Sequence, residues 1–133
     1  MFSPTAAGRR ILLVENDLLT REAVTLTLAG EGYMVAAAAN GREALEWLRH
    51  HGRPDLILLD LAMPGMDGVA FRQEQQRDEA LAAVPVLVLS AVGDAPRQAE
   101  ALGAAGCLQK PVDTAQLLDA VRKCCRPQPV PQR

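Results

Sequence analysis

The sequence predicts an α/β protein in which five parallel strands form one doubly wound sheet, with five helices on its two faces. Short runs rich in Val, Ile and Leu alternate with longer amphipathic segments, and parallel strands need such helical crossovers. The third run, residues 56–59, is apolar at every position, which is typical of a parallel strand covered on both faces. The length of 133 residues is sufficient for one domain of this class.

The first two predicted strands flank a helix with clear boundaries. Residues 11–14 form an apolar run that ends in a polar triplet at positions 15–17, and this triplet can also cap the helix predicted over residues 18–29. Gly30 ends that helix, because glycine adopts the left-handed geometry of a helix terminus at little cost. A weaker strand is predicted over residues 33–38.

The second helix and the third strand follow from local signals. Asn40 and Glu43 have the spacing of a capping box, which predicts that a helix begins directly after Asn40. The segment at residues 50–54 ends this helix, and the third strand then runs to Asp60. A polar helix is predicted from about residue 69 to residue 77.

The remaining elements repeat the same order of strand and helix. The fourth strand, residues 84–89, closes in Ser90, and Asp94 is expected to cap a short helix. The fifth strand is brief and ends in Lys110. A final helix with an apolar stripe starts at Asp113.

We predict one folded domain over residues 9–125, between a disordered tail at residues 1–8 and a Pro-rich tail or linker at residues 126–133. The three cysteines lack metal-ligand spacing and the even number of a disulfide framework, so free thiols are expected. No signal peptide and no apolar run of about 18 residues is found, which predicts a cytoplasmic protein without membrane insertion.

The charge and the aromatic content argue against a nucleic-acid partner. The chain has 14 basic and 16 acidic residues, a net charge of −2, and no basic block within the predicted domain. Aromatic residues make up 3% of the chain, too few for a surface on which bases stack. We therefore expect no direct binding of nucleic acid.

Polar side chains follow four of the five predicted strands, and these strand ends meet at one edge of a parallel sheet. They are Glu15 with Asn16, Asp60, Ser90 and Lys110. Clustered oxygen atoms suit Mg²⁺, and a carboxylate beside a cation can act as a nucleophile toward a phosphoryl group. The first strand-to-helix turn reads VENDLL and not a glycine-rich loop, which disfavours a dinucleotide site.

Four fragments, in order, carry a family resemblance: VEND after the first strand, LLDLAMPGMDG around Asp60, LVLSA ending the fourth strand, and CLQKP around Lys110. Together they resemble the receiver domain of bacterial two-component response regulators, over about residues 9–125. The resemblance implies a flavodoxin-like fold with strand order 2-1-3-4-5. It makes Asp60 the phospho-acceptor, Glu15 and Asn16 the acidic-pair positions, and Ala62 a ligand of Mg²⁺ through its backbone carbonyl.

The resemblance also implies an activity and partners. Receivers take a phosphoryl group from a histidine kinase or a histidine phosphotransfer protein, and Ser90 and Lys110 would hold that group. They catalyse their own phosphorylation and dephosphorylation and are not turnover enzymes for other substrates. The phosphorylated domain would signal to a downstream protein target, and a homodimer is a further option.

One departure from the family pattern leaves alternatives open. The second acidic-pair position is Asn16, which keeps an oxygen ligand but loses a charge, so weaker Mg²⁺ binding is expected and Asn16→Asp should tighten it. Asp17 could compensate, although capping of the helix is the preferred interpretation. The alternative function is an atypical receiver-like binding module with weak or no phosphorylation. A phosphohydrolase is disfavoured, because Ala62 lies where a general acid would be needed.

Overall fold

The computed structural model describes residues 8–62, 68–91 and 95–125. In this part of the chain each strand is followed by a helix, as predicted, and the third strand is followed by two. The elements are β1 (Arg10–Val14), α1 (Leu18–Gly30), β2 (Met34–Ala38), α2 (Gly41–His51), β3 (Leu56–Asp60), α3 (Gly68–Arg77), α4 (Glu79–Ala82), β4 (Val86–Ser90), α5 (Ala95–Ala101), β5 (Gly106–Gln109) and α6 (Thr114–Cys124).

The five strands form one parallel sheet in the order β2-β1-β3-β4-β5, which confirms the predicted fold class and strand order. Val14, the last residue of β1, is in register with Ala38 of β2 and with Leu59 of β3. Asp60, the last residue of β3, is in register with Leu89 of β4. The strands therefore end at one edge of the sheet, and the residues at that edge are brought together by register.

Helices cover both faces of the sheet, and alternate residues of each strand serve opposite faces. In β3, Leu56 and Leu58 pack with α1 and α6, whereas Ile57 and Leu59 pack with α2, α3, α4 and α5. All four of these side chains are fully buried, and each such burial contributes about 2 kcal/mol. This double burial explains why the third run contains no polar residue before Asp60.

The predicted helix starts are present in the described part of the chain. Asp17 caps α1, because its carboxylate accepts a hydrogen bond from Thr20 N at 2.9 Å. Asn40 caps α2 in the same way, and Glu43 reaches back to the N–H of the residue before Asn40. Asp113 caps α6. The predicted cap at Asp94 lies outside the described residues.

One short helix is added to the five that the sequence predicts. Asp78 ends α3 and starts α4, since its carboxylate accepts from Ala80 N at 2.9 Å. The strand that follows begins at Val86 and not at residue 84, because Pro85 has no N–H with which to extend the ladder. These differences lie far from the carboxyl edge of the sheet and leave it unchanged.

The thiols agree with the expectation from the sequence. Cys107, Cys124 and Cys125 are all free, and Cys125 is buried. Among the described residues no helix has the length and apolar character needed to span a membrane. The two predicted tails lie almost entirely outside the described residues, so the domain bounds stay a prediction.

Candidate functional site

Asp60 is held at the end of β3 by its neighbours in the chain and in space. Its side chain is 2% exposed, and its Oδ1 accepts a hydrogen bond from Ala62 N at 3.1 Å. Gly68, the first residue of α3, packs against the same turn. A Cβ at position 68 would lie 2.7 Å from Leu61 Cα and 2.9 Å from the Asp60 carbonyl oxygen, so only glycine fits without displacing the turn.

Lys110 joins two carboxylates that are far apart in the sequence. Its Nζ donates to Glu15 Oε1 at 3.0 Å, and it lies 2.8 Å from Glu15 Oε2 and 3.3 Å from Asp60 Oδ2. Its backbone N–H donates to the carbonyl oxygen of Ser90 at 2.9 Å, and the peptide bond to Pro111 is cis. The pairing of β5 with β4 therefore fixes where the ammonium group enters the site.

Glu15 follows β1 and is fully buried. Its backbone N–H donates to the Ala38 carbonyl oxygen at 3.0 Å, and its Oε1 accepts from Asp17 N at 3.0 Å. Glu15 Oε2 lies 2.8 Å from Lys110 Nζ, the distance of a charge-assisted hydrogen bond, and no other described group donates to it. This oxygen retains lone pairs that a further donor or a cation could use.

The buried cluster contains the carboxyl groups of Glu15 and Asp60 and the ammonium group of Lys110, and burial is the largest single influence on the pKa of Glu15 and of Lys110. Burial raises the pKa of Glu15, and the charge of Asp60 adds to that rise, while the hydrogen bond from Lys110 opposes it. Burial by itself would lower the pKa of Lys110, but its hydrogen bond to Glu15 and the charge of Asp60 raise it overall. Lys110 therefore stays protonated at neutral pH.

Asn16 lies beside the carboxylate of Asp60. Its amide group faces Asp60 Oδ2 and the Ala62 carbonyl oxygen, which are both acceptors, so hydrogen-bond chemistry assigns the amide nitrogen to the inner position when no cation is bound. In that orientation the nitrogen donates to Asp60 Oδ2 at 2.9 Å and to the Ala62 carbonyl at 3.2 Å. Asp17 points to the start of α1, which favours its capping role over compensation for Asn16.

The structure places every residue of the predicted site at this edge. Ser90 is the last residue of β4 and is buried, in register with Gln109 beside Lys110. Lys110 contacts Glu15 and Asp60, and the Asn16 amide faces Asp60 and the Ala62 carbonyl. The chemical roles of these residues stay predictions.

The oxygen atoms around Asn16 fit a hard divalent cation. Mg²⁺ binds octahedrally at about 2.0–2.1 Å, which places neighbouring ligand atoms about 2.9 Å apart. The inner position of the Asn16 amide lies 2.9 Å from Asp60 Oδ2 and 3.2 Å from the Ala62 carbonyl oxygen. The described residues hold no group of three or more His, Cys, Asp or Glu side chains that could bind a metal. A cation here would therefore need amide and backbone oxygens besides the carboxylates of Glu15 and Asp60.

Two buried polar residues were not predicted. Arg72 and Gln75 are 6% and 0% exposed, and they lie on the face of α3 that also carries Phe71. The helix is otherwise polar, so the sequence gives these two residues no mark that separates them from exposed neighbours. Their helical spacing relative to Gly68 and Phe71 is the one signal that could have placed them inside.

A doubly wound five-stranded sheet with a lysine and two carboxylates at its carboxyl edge defines a class of α/β proteins with an acidic strand-end site. Residues 11–122 match the family model of the response regulator receiver domain. The chain belongs to this family, which confirms the resemblance found in its motifs. It is thus a receiver domain of the two-component response regulators.

Individual relatives agree with this assignment. The chain is 36% identical over 119 residues to the DNA-binding dual master transcriptional regulator RpaA of Synechocystis and 40% identical over 118 residues to the transcriptional regulatory protein CseB of Streptomyces coelicolor. These matches cover 88% and 87% of this chain and 49% of each relative, so the chain spans about half the length of the curated relatives it matches.

A solved structure shows the same fold over nearly its whole length. The chemotaxis protein CheY4 of Vibrio cholerae superposes with a TM-score of 0.81 at 32% identity, over 89% of this chain and 99% of that protein. A putative response regulator from Chloroflexus aurantiacus has a TM-score of 0.82 at 30% identity, over 88% of this chain and 97% of that one. The predicted architecture is therefore that of known receivers.

Proposed function

We propose that this domain accepts a phosphoryl group on Asp60 from a histidine kinase or a histidine phosphotransfer protein, in a Mg²⁺-dependent reaction. The observation that carries the proposal is the buried Asp60 carboxylate with Lys110 Nζ 3.3 Å away. A carboxylate that is buried at a strand end and paired with a fixed cation is a nucleophile whose product charge can be neutralised in place.

The two oxygens of Asp60 have different surroundings. Oδ2 faces Lys110 and Asn16, whereas Oδ1 is held by the N–H of Ala62. Oδ1 is thus the oxygen that would attack phosphorus, forming the new O–P bond as the P–N bond of the phosphohistidine breaks and its electron pair returns to the imidazole. Lys110 and the Ser90 hydroxyl would balance charge on the phosphoryl oxygens, and hydrolysis by water would reverse the modification.

Glu15, Asn16, Asp60 and the Ala62 carbonyl would hold Mg²⁺. When bound, the metal would neutralise charge on the phosphoryl oxygens. An aspartyl-phosphate carries about −1.5 to −2 charges where the free carboxylate carries −1, so one modification adds about −0.5 to −1 to a chain whose net charge is −2. Such a change is large enough to alter contacts with a downstream protein target or with a second copy of the chain.

A small phosphodonor tests the proposal directly. The chain is incubated with the donor in the presence and absence of Mg²⁺ and its intact mass is measured; one phosphoryl group should be added with Mg²⁺ and none in Asp60→Asn. Asp119→Asn is the matched control, because Asp119 is an exposed aspartate paired with Lys123 on α6. Addition of a phosphoryl group to Asp60→Asn would reject Asp60 as the acceptor.

The second candidate is a receiver-like protein-binding module with weak or no phosphorylation, and the hydrogen bond from Asn16 to Asp60 favours it. The same experiment separates the two, because no addition to the unmodified chain at saturating Mg²⁺ would support the second candidate. RpaA is named as DNA-binding, but it is about twice as long as the matched segment. Absence of nucleic-acid binding, and a cytoplasmic location, stay predictions for this chain.

A further inference from the structure

We propose that Asn16 is a positioning residue with two states: its amide nitrogen donates to Asp60 in the metal-free domain, and its amide oxygen faces the cation in the Mg²⁺-bound domain. This inference rests on the proposed function, because it concerns the same acceptor carboxylate. In the metal-free domain, the Asp60 carboxylate would thus already accept a hydrogen bond from Asn16.

The metal-free state follows from the acceptors around the amide. An amide oxygen at the inner position would lie 2.9 Å from a carboxylate oxygen and 3.2 Å from a carbonyl oxygen, with no proton between them. The amide nitrogen at the same position donates to both. It therefore links the Asp60 carboxylate to the backbone of Ala62 and holds the turn that follows β3.

The metal-bound state uses the same position with the opposite atom. Rotation of the amide about its terminal torsion exchanges nitrogen and oxygen without moving the rest of the side chain. The oxygen then lies at the spacing from Asp60 Oδ2 and the Ala62 carbonyl that an octahedral Mg²⁺ requires of neighbouring ligands. An aspartate at position 16 could supply the ligand but not the donor, because a carboxylate only accepts.

The charges of the neighbouring side chains show what asparagine changes, relative to aspartate, at position 16. Glu15, Asp60 and Lys110 sum to −1, and an aspartate at position 16 would bring the sum to −2. Asn16 therefore lessens repulsion in the metal-free domain and lessens attraction for the cation. The metal must displace two hydrogen bonds in order to bind, so this receiver needs a higher Mg²⁺ concentration than one with an acidic residue there.

Thermal unfolding with EDTA and with saturating Mg²⁺ tests both states in the intact chain. In EDTA, Asn16→Asp and Asn16→Ala should both melt below the unmodified chain, because each loses the donor. Added Mg²⁺ should raise the midpoint most in Asn16→Asp, less in the unmodified chain and least in Asn16→Ala. By calorimetry, Asn16→Asp should bind Mg²⁺ about tenfold more tightly.

Asn40→Asp is the matched control, because the chain has two asparagines and Asn40 acts only as an acceptor for Glu43 N at the start of α2. This variant should follow the unmodified chain with and without Mg²⁺. If Asn16→Asp melts at the same temperature as the unmodified chain in EDTA, the donor state is wrong.

Selective ¹⁵N labelling of asparagine gives a spectroscopic readout, since two side-chain amide pairs are present and the pair of Asn16 is absent in Asn16→Asp. Mg²⁺ should shift the amide protons of Asn16 and leave those of Asn40 in place. The exchange of amide nitrogen and oxygen is wrong if the side-chain amide protons of Asn16 do not shift at saturating Mg²⁺. It is also wrong if neither the unmodified chain nor Asn16→Asp binds Mg²⁺. None of these readouts needs a phosphodonor, so failure of phosphorylation would reject the proposed function alone.

Discussion

Two buried polar clusters of this domain differ in how completely their hydrogen-bonding groups are used. The acceptor cluster consists of Glu15, Asp60 and Lys110 at the carboxyl edge of the sheet. The second cluster, Arg72 with Gln75, lies on α3 and is called the α3 strut below. Both place ionised or amide groups in the largely apolar interior of the domain. They differ in how many partners these groups have.

The α3 strut binds the backbone of three neighbouring segments. Arg72 donates to the carbonyl oxygens of Leu102 at 3.0 Å and Gly103 at 3.2 Å, which follow α5, and to Gln75 Oε1 at 2.8 Å. Gln75 in turn donates to the carbonyl oxygens of two further residues, Leu81 at 2.9 Å and Val84 at 3.1 Å. The strut therefore ties α3 to the end of α5, to α4 and to the connection before β4.

The two clusters differ in how many partners each buried polar group has. In the strut, each side chain meets neutral acceptors at hydrogen-bond distance, which compensates for its burial. In the acceptor cluster, two carboxylates share one ammonium group, and Glu15 Oε2 has no donor among the described residues besides that group. The shortage of positive charge costs stability and would be made good by a bound cation.

The largest effect on stability is expected from Arg72→Met. The variant leaves one buried acceptor, Gln75 Oε1, and two partly buried carbonyl oxygens without their donor, so the free energy of unfolding should fall by about 2 kcal/mol, measured by urea denaturation. Arg77→Met on the same helix is the control, because Arg77 is exposed and pairs only with Glu74, and it should change the value by at most about 0.5 kcal/mol. Equal losses in the two variants would remove the distinction between strut and surface.

A smaller effect of opposite sign is expected from Asp60→Asn. Removing one of two carboxylates that share Lys110 should raise the free energy of unfolding by about 1 kcal/mol in metal-free buffer, although phosphorylation is lost. Urea denaturation in EDTA measures this, and Asp119→Asn should stay within about 0.5 kcal/mol of the unmodified chain. A loss of stability in Asp60→Asn would mean that the acceptor cluster is as structural as the strut.

The last prediction concerns the reactivity of a side chain and not the stability of the chain. It is made for Cys125, a buried ionisable group that belongs to neither cluster. Burial, with a smaller contribution from the charge of Asp55, raises the pKa of this thiol to about 12. At pH 8 about one thiol in ten thousand is then ionised, so iodoacetamide should modify Cys125 far more slowly in the folded than in the unfolded chain. Peptide mass analysis measures the rate of modification in the folded and in the unfolded chain, and equal rates would contradict the prediction. A perturbed pKa without clustered polar partners therefore does not by itself indicate a site.

Much of the acceptor cluster could be predicted because it lies where strands end. An apolar strand that stops at a polar residue puts that residue at the carboxyl edge whatever the details of packing, and this holds for Glu15 and Asp60 of the cluster and for Ser90 at the same edge. The strut could not be predicted, since a polar residue on a polar helix faces inward only if a neighbouring element offers it acceptors. For Arg72 those acceptors are carbonyls about 30 residues away in the sequence.

The sequence by itself determined the sheet, the order of its elements and the residues at its functional edge, because strand periodicity, caps and strand-end chemistry are local properties. Only the tertiary structure decided how those residues pair. It joined Lys110 to Glu15 across 95 positions, turned Asp17 outward as a cap, and set the Asn16 amide against two acceptors. The physical reason is that hydrogen bonds and ion pairs depend on distances of about 3 Å, which are fixed only when the strands are in register.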